Sequence, residues 1–160
     1  MKWKPSQKGA AAVEFAILSL LLLVFVFGII EFGLLWVQSH YIANAAREGA
    51  RVAAKLEDPD GDDEATVQTA IQNYLEGSVV YSTAFVSNCC DSGDNVEISV
   101  DPETITAAGV DPIDAWRVTV TVQSHEIYEP VLWNLLNLLP GVDLGEITQI
   151  TQSAVFAAQP

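Results

Sequence analysis

One carboxylate, Glu14, stands within the most apolar stretch of the sequence, GAAAVEFAILSLLLLVFVFGII (9–30). A charged side chain at the middle of a membrane helix costs on the order of 2.5–3.5 kcal/mol on insertion scales. Pairing with a cation recovers part of that cost, so Glu14 favours association of the chain with a partner that supplies an ammonium group. The alternative is that Glu14 lies among the lipid headgroups and extends its carboxylate towards water.

The residues around Glu14 have the length and composition of a membrane-spanning helix. No residue between Phe15 and Ile30 is charged. A helix over residues 10–30 would be about 31 Å long, close to the hydrocarbon thickness of a bilayer. A cleaved signal peptide is the alternative, but this stretch is longer than the usual apolar region and the following EFGLLWVQ offers no small-x-small cleavage site. We therefore expect the helix to be retained.

The charges on the two sides of this stretch are of opposite sign. Lys2, Lys4 and Lys8 precede it, whereas from Glu57 onward there are 18 acidic residues and one basic residue, Arg117. The positive-inside rule places the N-terminus in the cytoplasm and the C-terminal part outside. The net charge of −14 repels phosphate backbones, so we expect no nucleic-acid partner.

Three blocks of sequence, in order, carry a family resemblance: KGAAAVEF (8–15), GIIEFG (28–33) and NAAREGARVAA (44–54). The first resembles the processing site of type IV pilin-like precursors, with a basic leader, a glycine and a glutamate five residues on. Together they resemble the TadE family, pseudopilin-like proteins of the tight-adherence (Flp pilus) apparatus. The resemblance covers residues 7–55.

The resemblance implies that a prepilin peptidase cuts between Gly9 and Ala10 and releases a leader of residues 1–9. A glycine places no side chain against a protease, and cleavage would create an ammonium group at Ala10, one helical turn from Glu14. Glu14 could then neutralise this amine or that of a neighbouring subunit. The implied partners are the peptidase, other pilin-like subunits, the pilus assembly machinery and membrane lipid, with the chain in the bacterial inner membrane and possible incorporation into a surface pilus.

The remaining sequence predicts an α+β fold. Residues 10–36 form the transmembrane helix, and residues 37–56 extend it with a stripe of small residues, Ala43, Ala46, Ala50 and Ala53. Residues 57–160 form an acidic extracytoplasmic domain with an antiparallel sheet and the pilin-like order α-α-β-β-β-α-β. After the long helix, the predicted elements are a helix over 64–76, strands over 79–87, 95–101 and 116–125, a helix over 129–141 and a strand over 147–158.

Two further groups of residues could form a disulfide bond or bind a metal ion. Cys89 and Cys90 are adjacent and can form a vicinal disulfide, remain free, or bond to other chains; export favours the vicinal ring. The acidic segment 57–63 lacks the glycine and glutamate positions of an EF-hand loop. We expect Asp62 or Asp63 to cap the next helix, and an irregular calcium site remains an alternative.

Catalytic patterns are missing from the sequence. HEIYE (125–129) resembles a zinc motif but lacks its second histidine, and the other histidine is His40. We therefore expect no enzyme activity, no cofactor and no metal. The sequence predicts a structural, pilin-like membrane protein, a TadE-like minor pilin or assembly component. The alternative is an unprocessed, membrane-anchored binding module or adhesin.

Overall fold

The computed structural model describes residues 7–78, 80–91, 93–106, 108–109, 111–123 and 148–158. They form two units, one containing residues 7–35 and the other containing the described residues from Trp36 onward. The elements in chain order are α1 (Gln7–Ala53), α2 (Glu64–Glu76), α3 (Thr83–Val86), β1 (Cys89–Cys90), β2 (Val96–Ile105), β3 (Ile113–Gln123) and β4 (Gln149–Ala157). This confirms the α+β class, with a long N-terminal apolar helix followed by a small four-stranded sheet. The helix predicted over 129–141 lies outside the described residues.

The N-terminal part of α1 exposes large apolar side chains in every direction. Val13, Phe15 and Leu18 are each at least 60% exposed, and the apolar window of this helix has no buried residue. A helix that is apolar on all sides is stable only in apolar surroundings. Among the described residues, α1 is the one helix long and apolar enough to cross a membrane. It is suited to a single-pass anchor.

The C-terminal part of α1 buries one face of small side chains. Ala46, Ala50 and Ala53 of the predicted stripe are completely buried, whereas Ala43 is only partly buried. Gly49 lies on the same face, where an added Cβ would be 2.6 Å from Ile71 Cδ1 of α2 and 3.2 Å from Val118 Cγ1 of β3. A glycine in a helix interior costs about 1 kcal/mol relative to alanine. Gly49 allows the three elements to approach one another.

The acidic loop between α1 and α2 is closed by Asp58. The backbone carbonyl oxygen of Asp58 accepts hydrogen bonds from the backbone N–H groups of Gly61 and Asp63, at 3.1 and 3.0 Å. Its side-chain Oδ2 accepts from the Asp62 N–H at 3.2 Å. Asp63 occupies the N-cap position of α2, but its side chain makes no capping hydrogen bond. The predicted N-cap position, Asp63, is therefore correct, but the capping hydrogen bond expected at its side chain is not formed.

The strand predicted over 79–87 is wrong. Residues 83–86 form the short helix α3, because serine side chains favour turns here over an extended chain. Ser82 Oγ accepts a hydrogen bond from the Phe85 N–H at 3.2 Å, and Ser78 Oγ accepts one from the Tyr81 N–H at 3.1 Å. These local bonds outweigh the β propensity of the valine and aromatic residues in the segment.

The sheet has the strand order β1-β2-β3-β4. The β2–β3 and β3–β4 pairs are antiparallel, with Val100 opposite Val118 and Val118 opposite Ala154. The two-residue strand β1 pairs parallel to β2, so the sheet is mixed, whereas a purely antiparallel sheet was predicted. The other three predicted strands are confirmed with shifted ends.

The two faces of the sheet differ as the alternating sequence predicts. On β3, Val118, Val120 and Val122 are buried, while Arg117, Thr119 and Thr121 are half-buried on the opposite face. The buried valines belong to one core formed by α1, α2 and the sheet. Its largest fully buried members are Ile42, Val67, Ile71, Leu75, Val86, Val96, Val118, Val120 and Val122. Complete burial of such a side chain contributes about 1.5–3 kcal/mol.

Gly49→Ala tests the close approach of the three elements. Overpacking a core typically costs about 1–3 kcal/mol, whereas alanine improves helix propensity by about 1 kcal/mol. We therefore expect a net loss of about 1 kcal/mol in the free energy of unfolding, measured by denaturant titration in detergent, and a larger loss for Gly49→Val. Gly33→Ala is the matched control, since no described atom lies within 4 Å of its added Cβ. Equal stability of the two alanine variants would contradict the packing role of Gly49.

Tyr81→Phe tests a buried hydroxyl. Tyr81 is 5% exposed, and its hydroxyl has no hydrogen-bond partner among the described residues. Burial raises the pKa of Tyr81 above its ordinary value of 10. The unfolded tyrosine therefore loses its proton first, and stability should fall as the pH rises above about 10. Tyr81→Phe should remove this dependence and leave neutral-pH stability equal or higher by about 1 kcal/mol, while Tyr74→Phe, on an exposed residue, should retain it. An unchanged alkaline profile in Tyr81→Phe would argue against this assignment.

Candidate functional site

The predicted processing and assembly residues lie together at the beginning of α1. The helix begins at Gln7, and Gly9, Ala10 and Glu14 are all exposed. The Gly9–Ala10 bond lies near the beginning of the described part of α1. An added Cβ at Gly9 would have no described atom within 4 Å. This part of the backbone is therefore open to a large partner.

Ala10 and Glu14 are separated by one helical turn, a rise of about 6 Å. In the uncut chain the nitrogen of Ala10 is part of a peptide bond, so this end of the helix offers Glu14 no ammonium group. No hydrogen bond or ion pair of Glu14 with another described residue exists. The arrangement can supply a charge pair only after cleavage at Gly9, or from a second chain.

The second acid of the apolar region has different surroundings. Glu31 is 6% exposed and therefore buried, whereas Glu14 is exposed on the surface of α1. A buried carboxylate is already shielded from other chains. Of these two acids, Glu14 is the exposed one.

Comparison with known families bears on this helix. The family model described as TadE-like protein matches residues 9–51. This segment is TadE-like. The match confirms the resemblance carried by the three sequence blocks, and it lies entirely within α1. No curated protein and no solved structure matches the chain. The TadE-like match and the exposed apolar helix together fit a pilin-like membrane protein.

Cys89 and Cys90 form a vicinal disulfide, with their Cα atoms 3.6 Å apart. Both residues are half-buried against the core of the domain. Cys90 has a φ of 106°, which is disfavoured for a residue with a Cβ. The disulfide therefore fixes an unusual backbone conformation in β1.

The sheet-containing unit also has an open cavity of about 840 Å³. It is lined by the half-buried ring of Trp116, by Thr104, and by charged side chains of both signs. The charged lining residues are Lys55, Glu57, Glu103 and Asp114. Glu103 Oε1 accepts a hydrogen bond from Arg117 at 2.5 Å, which fixes the carboxylate at the cavity wall. The volume is within the range of small-molecule sites.

Of the two histidines, only His40 lies within the described residues. The His40 ring contacts the Trp36 ring edge-on, with centroids 4.9 Å apart, and HEIYE lies outside the described residues. Within the described ranges, no three His, Cys, Asp or Glu side chains are arranged to hold a metal ion.

Sequence reasoning missed the cavity and the close approach at Gly49. Trp116 and Glu103 belong to different strands, and only the β2–β3 register, in which Pro102 lies opposite Trp116, brings them near each other. A glycine within an alanine-rich helix was the one available signal for the close approach, since helix interiors disfavour glycine unless packing requires it.

Proposed function

We propose that this protein is a TadE-like minor pilin or assembly component of a tight-adherence (Flp) pilus. One observation carries the proposal. The TadE-like match includes the exposed apolar part of α1, and the one carboxylate between residues 9 and 30, Glu14, is exposed. Such a helix can be held in lipid as a monomer and can pack against the helices of other subunits on assembly.

The chemistry of Glu14 supports assembly through charge pairing. In the apolar surroundings that α1 requires, an unpaired carboxylate is costly and a hydrogen-bonded ion pair is far less so. Processing after Gly9 would provide an ammonium group at Ala10 of the same subunit or of a neighbour. Pairing with a neighbour's ammonium group would favour association of the subunits in one axial register, because any other register leaves the Glu14 carboxylate unpaired.

The proposed location follows from the charges flanking the helix. The leader of residues 1–9 carries three lysines and no acid, so it remains on the cytoplasmic side of the inner membrane, while the acidic domain is exported. A prepilin peptidase is the expected processing partner, and pilin-like subunits and the assembly machinery are the expected later partners. The role is structural, without catalysis or a cofactor.

Replacing Glu14 tests the assembly role. Glu14→Ala and Glu14→Gln should leave membrane insertion intact and reduce the yield of assembled filaments by roughly tenfold or more, because a charge-assisted bond contributes about 1.5–3 kcal/mol. Glu14→Asp should retain part of the yield. Ser19→Ala is the matched control, since it removes a polar group of the same apolar segment whose hydroxyl donates only to the Ala16 carbonyl. The readouts are membrane fractionation and filament counts, and normal piliation in Glu14→Ala would exclude the role.

The mass of the mature chain tests processing. We expect an N-terminus at Ala10 in the native host, and a chain that retains its leader when the prepilin peptidase is absent. Gly9→Leu should block cleavage, because its side chain would lie against the protease, whereas Gly33→Leu places the same side chain elsewhere on α1 and should be processed normally. A mature N-terminus well beyond Ile30 would identify an exported soluble protein and contradict the proposal.

A second candidate function is favoured by the cavity beside Trp116. An aromatic ring with charged side chains and a hydroxyl at its rim has the composition of a ligand site. In this alternative the protein is an unprocessed, membrane-anchored binding module or adhesin. The same mass measurement separates the two functions, because an intact N-terminus at Met1 supports the anchored module.

A further inference from the structure

The vicinal disulfide of Cys89 and Cys90 has little effect on the entropy of the unfolded chain. The stabilisation from a disulfide through this entropy grows with the length of the loop that it closes, and a bond between neighbours closes the shortest loop possible. The disulfide therefore acts mainly on the folded state, where it restricts the backbone conformation of the two cysteines. That backbone has the left-handed φ of 106° at Cys90.

The segment around the disulfide is connected to three other parts of the domain. Gln72 Nε2 on α2 lies 3.7 Å from Cys90 Sγ and donates to it. Asn95 Nδ2 donates to the Phe85 carbonyl of α3 at 3.3 Å. The pairing of β1 with β2 includes a hydrogen bond from the Val96 N–H to the Asn88 carbonyl at 3.3 Å.

The turn between the two strands depends on the same geometry. The Gly93 N–H donates to Glu97 Oε1 at 2.7 Å, and the Asp91 N–H donates to Asp94 Oδ2 at 3.1 Å. Parallel strands ordinarily need a crossover of a dozen residues or more. Here Cys90 and Gly93, both with positive φ, turn the chain back within a few residues. Without the constraint at Cys90, ordinary negative φ values would be favoured and would direct the chain away from β2.

We propose that the vicinal disulfide is a redox-sensitive latch, which holds residues 88–91 and 93–95 against α2 and β2 when oxidised and releases them when reduced. Both cysteines are half-buried, and Cys90 lines an open depression at the surface of the sheet. A small dithiol entering this depression would approach the disulfide without unfolding the core. The latch is independent of the processing and assembly roles of α1.

The proposed reduction is a two-step thiol–disulfide exchange. A thiolate of a dithiol reductant attacks one ring sulfur, and the other ring sulfur leaves as a thiolate and takes up a proton. The second thiolate of the reductant then attacks the mixed disulfide and releases the remaining cysteine, which is also protonated. The two cysteines gain two electrons and two protons, and the reductant becomes a disulfide.

Release of the latch changes the polar surface beside it. A depression of about 170 Å³ is lined by Cys90 and by side chains of β2 and β3, namely Glu97, Ile98, Ser99, Thr119 and Thr121. Reduction removes Cys90 from its wall and frees Gln72 on α2. The oxidation state of the two cysteine sulfur atoms thereby controls access to the solvated face of the sheet.

Hydrogen exchange of the full-length protein in detergent tests the latch. Samples are compared before and after treatment with dithiothreitol, and alkylation followed by intact mass counts the free thiols. We expect two alkylated cysteines in the folded protein. Exchange should become at least tenfold faster at the amides of residues 91, 93 and 96, while the amides of Val118 and Val120 in the core remain unchanged.

Two double variants separate the backbone conformation from the sulfur chemistry. Cys89→Ser with Cys90→Gly should keep slow exchange, because glycine adopts positive φ without a Cβ penalty, and dithiothreitol should have no effect on it. Cys89→Ser with Cys90→Val should exchange rapidly even without reductant, because a β-branched residue disfavours that φ.

Three results would overturn the proposal. A disulfide that dithiothreitol reduces only after the domain has unfolded cannot act as a latch. Unchanged exchange after complete reduction would show that the ring does not hold the segment. Faster exchange at Val118 and Val120 as well would identify the disulfide as a support of the whole domain rather than a local device.

Discussion

The domain depends on the close approach of α1, α2 and β3 at Gly49. Small side chains on one face of α1 let the buried side chains of Ile71 and Val118 come within contact distance of its backbone. Glycine in a helix interior costs about 1 kcal/mol relative to alanine, so the sequence gives up helix propensity for packing at this point. The core residues of α2 and of the inner sheet face are arranged around that contact.

The same helix has a different requirement at its other end. Around Glu14 the side chains are large, apolar and exposed, and the environment that suits them is lipid or the helices of other subunits. The TadE-like match covers both regions of α1 and ends before the sheet domain begins.

What could be predicted from the sequence was local. The apolar span, the family blocks and the alternation of Val118, Thr119 and Val120 are patterns within one element, so residues 7–55 and β3 were anticipated well. The strand expected over 79–87 failed because Ser78 and Ser82 bind nearby backbone N–H groups, a competition that β propensity ignores. The parallel pairing of β1, the cavity and the role of Gly49 each depend on residues brought together by folding, and no spacing along the chain encodes them.

The two margins of the sheet are chemically unlike. At one margin the chain bends away after two residues, under the control of a disulfide and a turn rich in aspartate. At the other, β4 extends for nine residues with no charge and no proline, in a protein that is otherwise strongly acidic. Long uncharged borders of this kind readily accept a further strand, which is why soluble proteins usually shorten them, charge them or cover them.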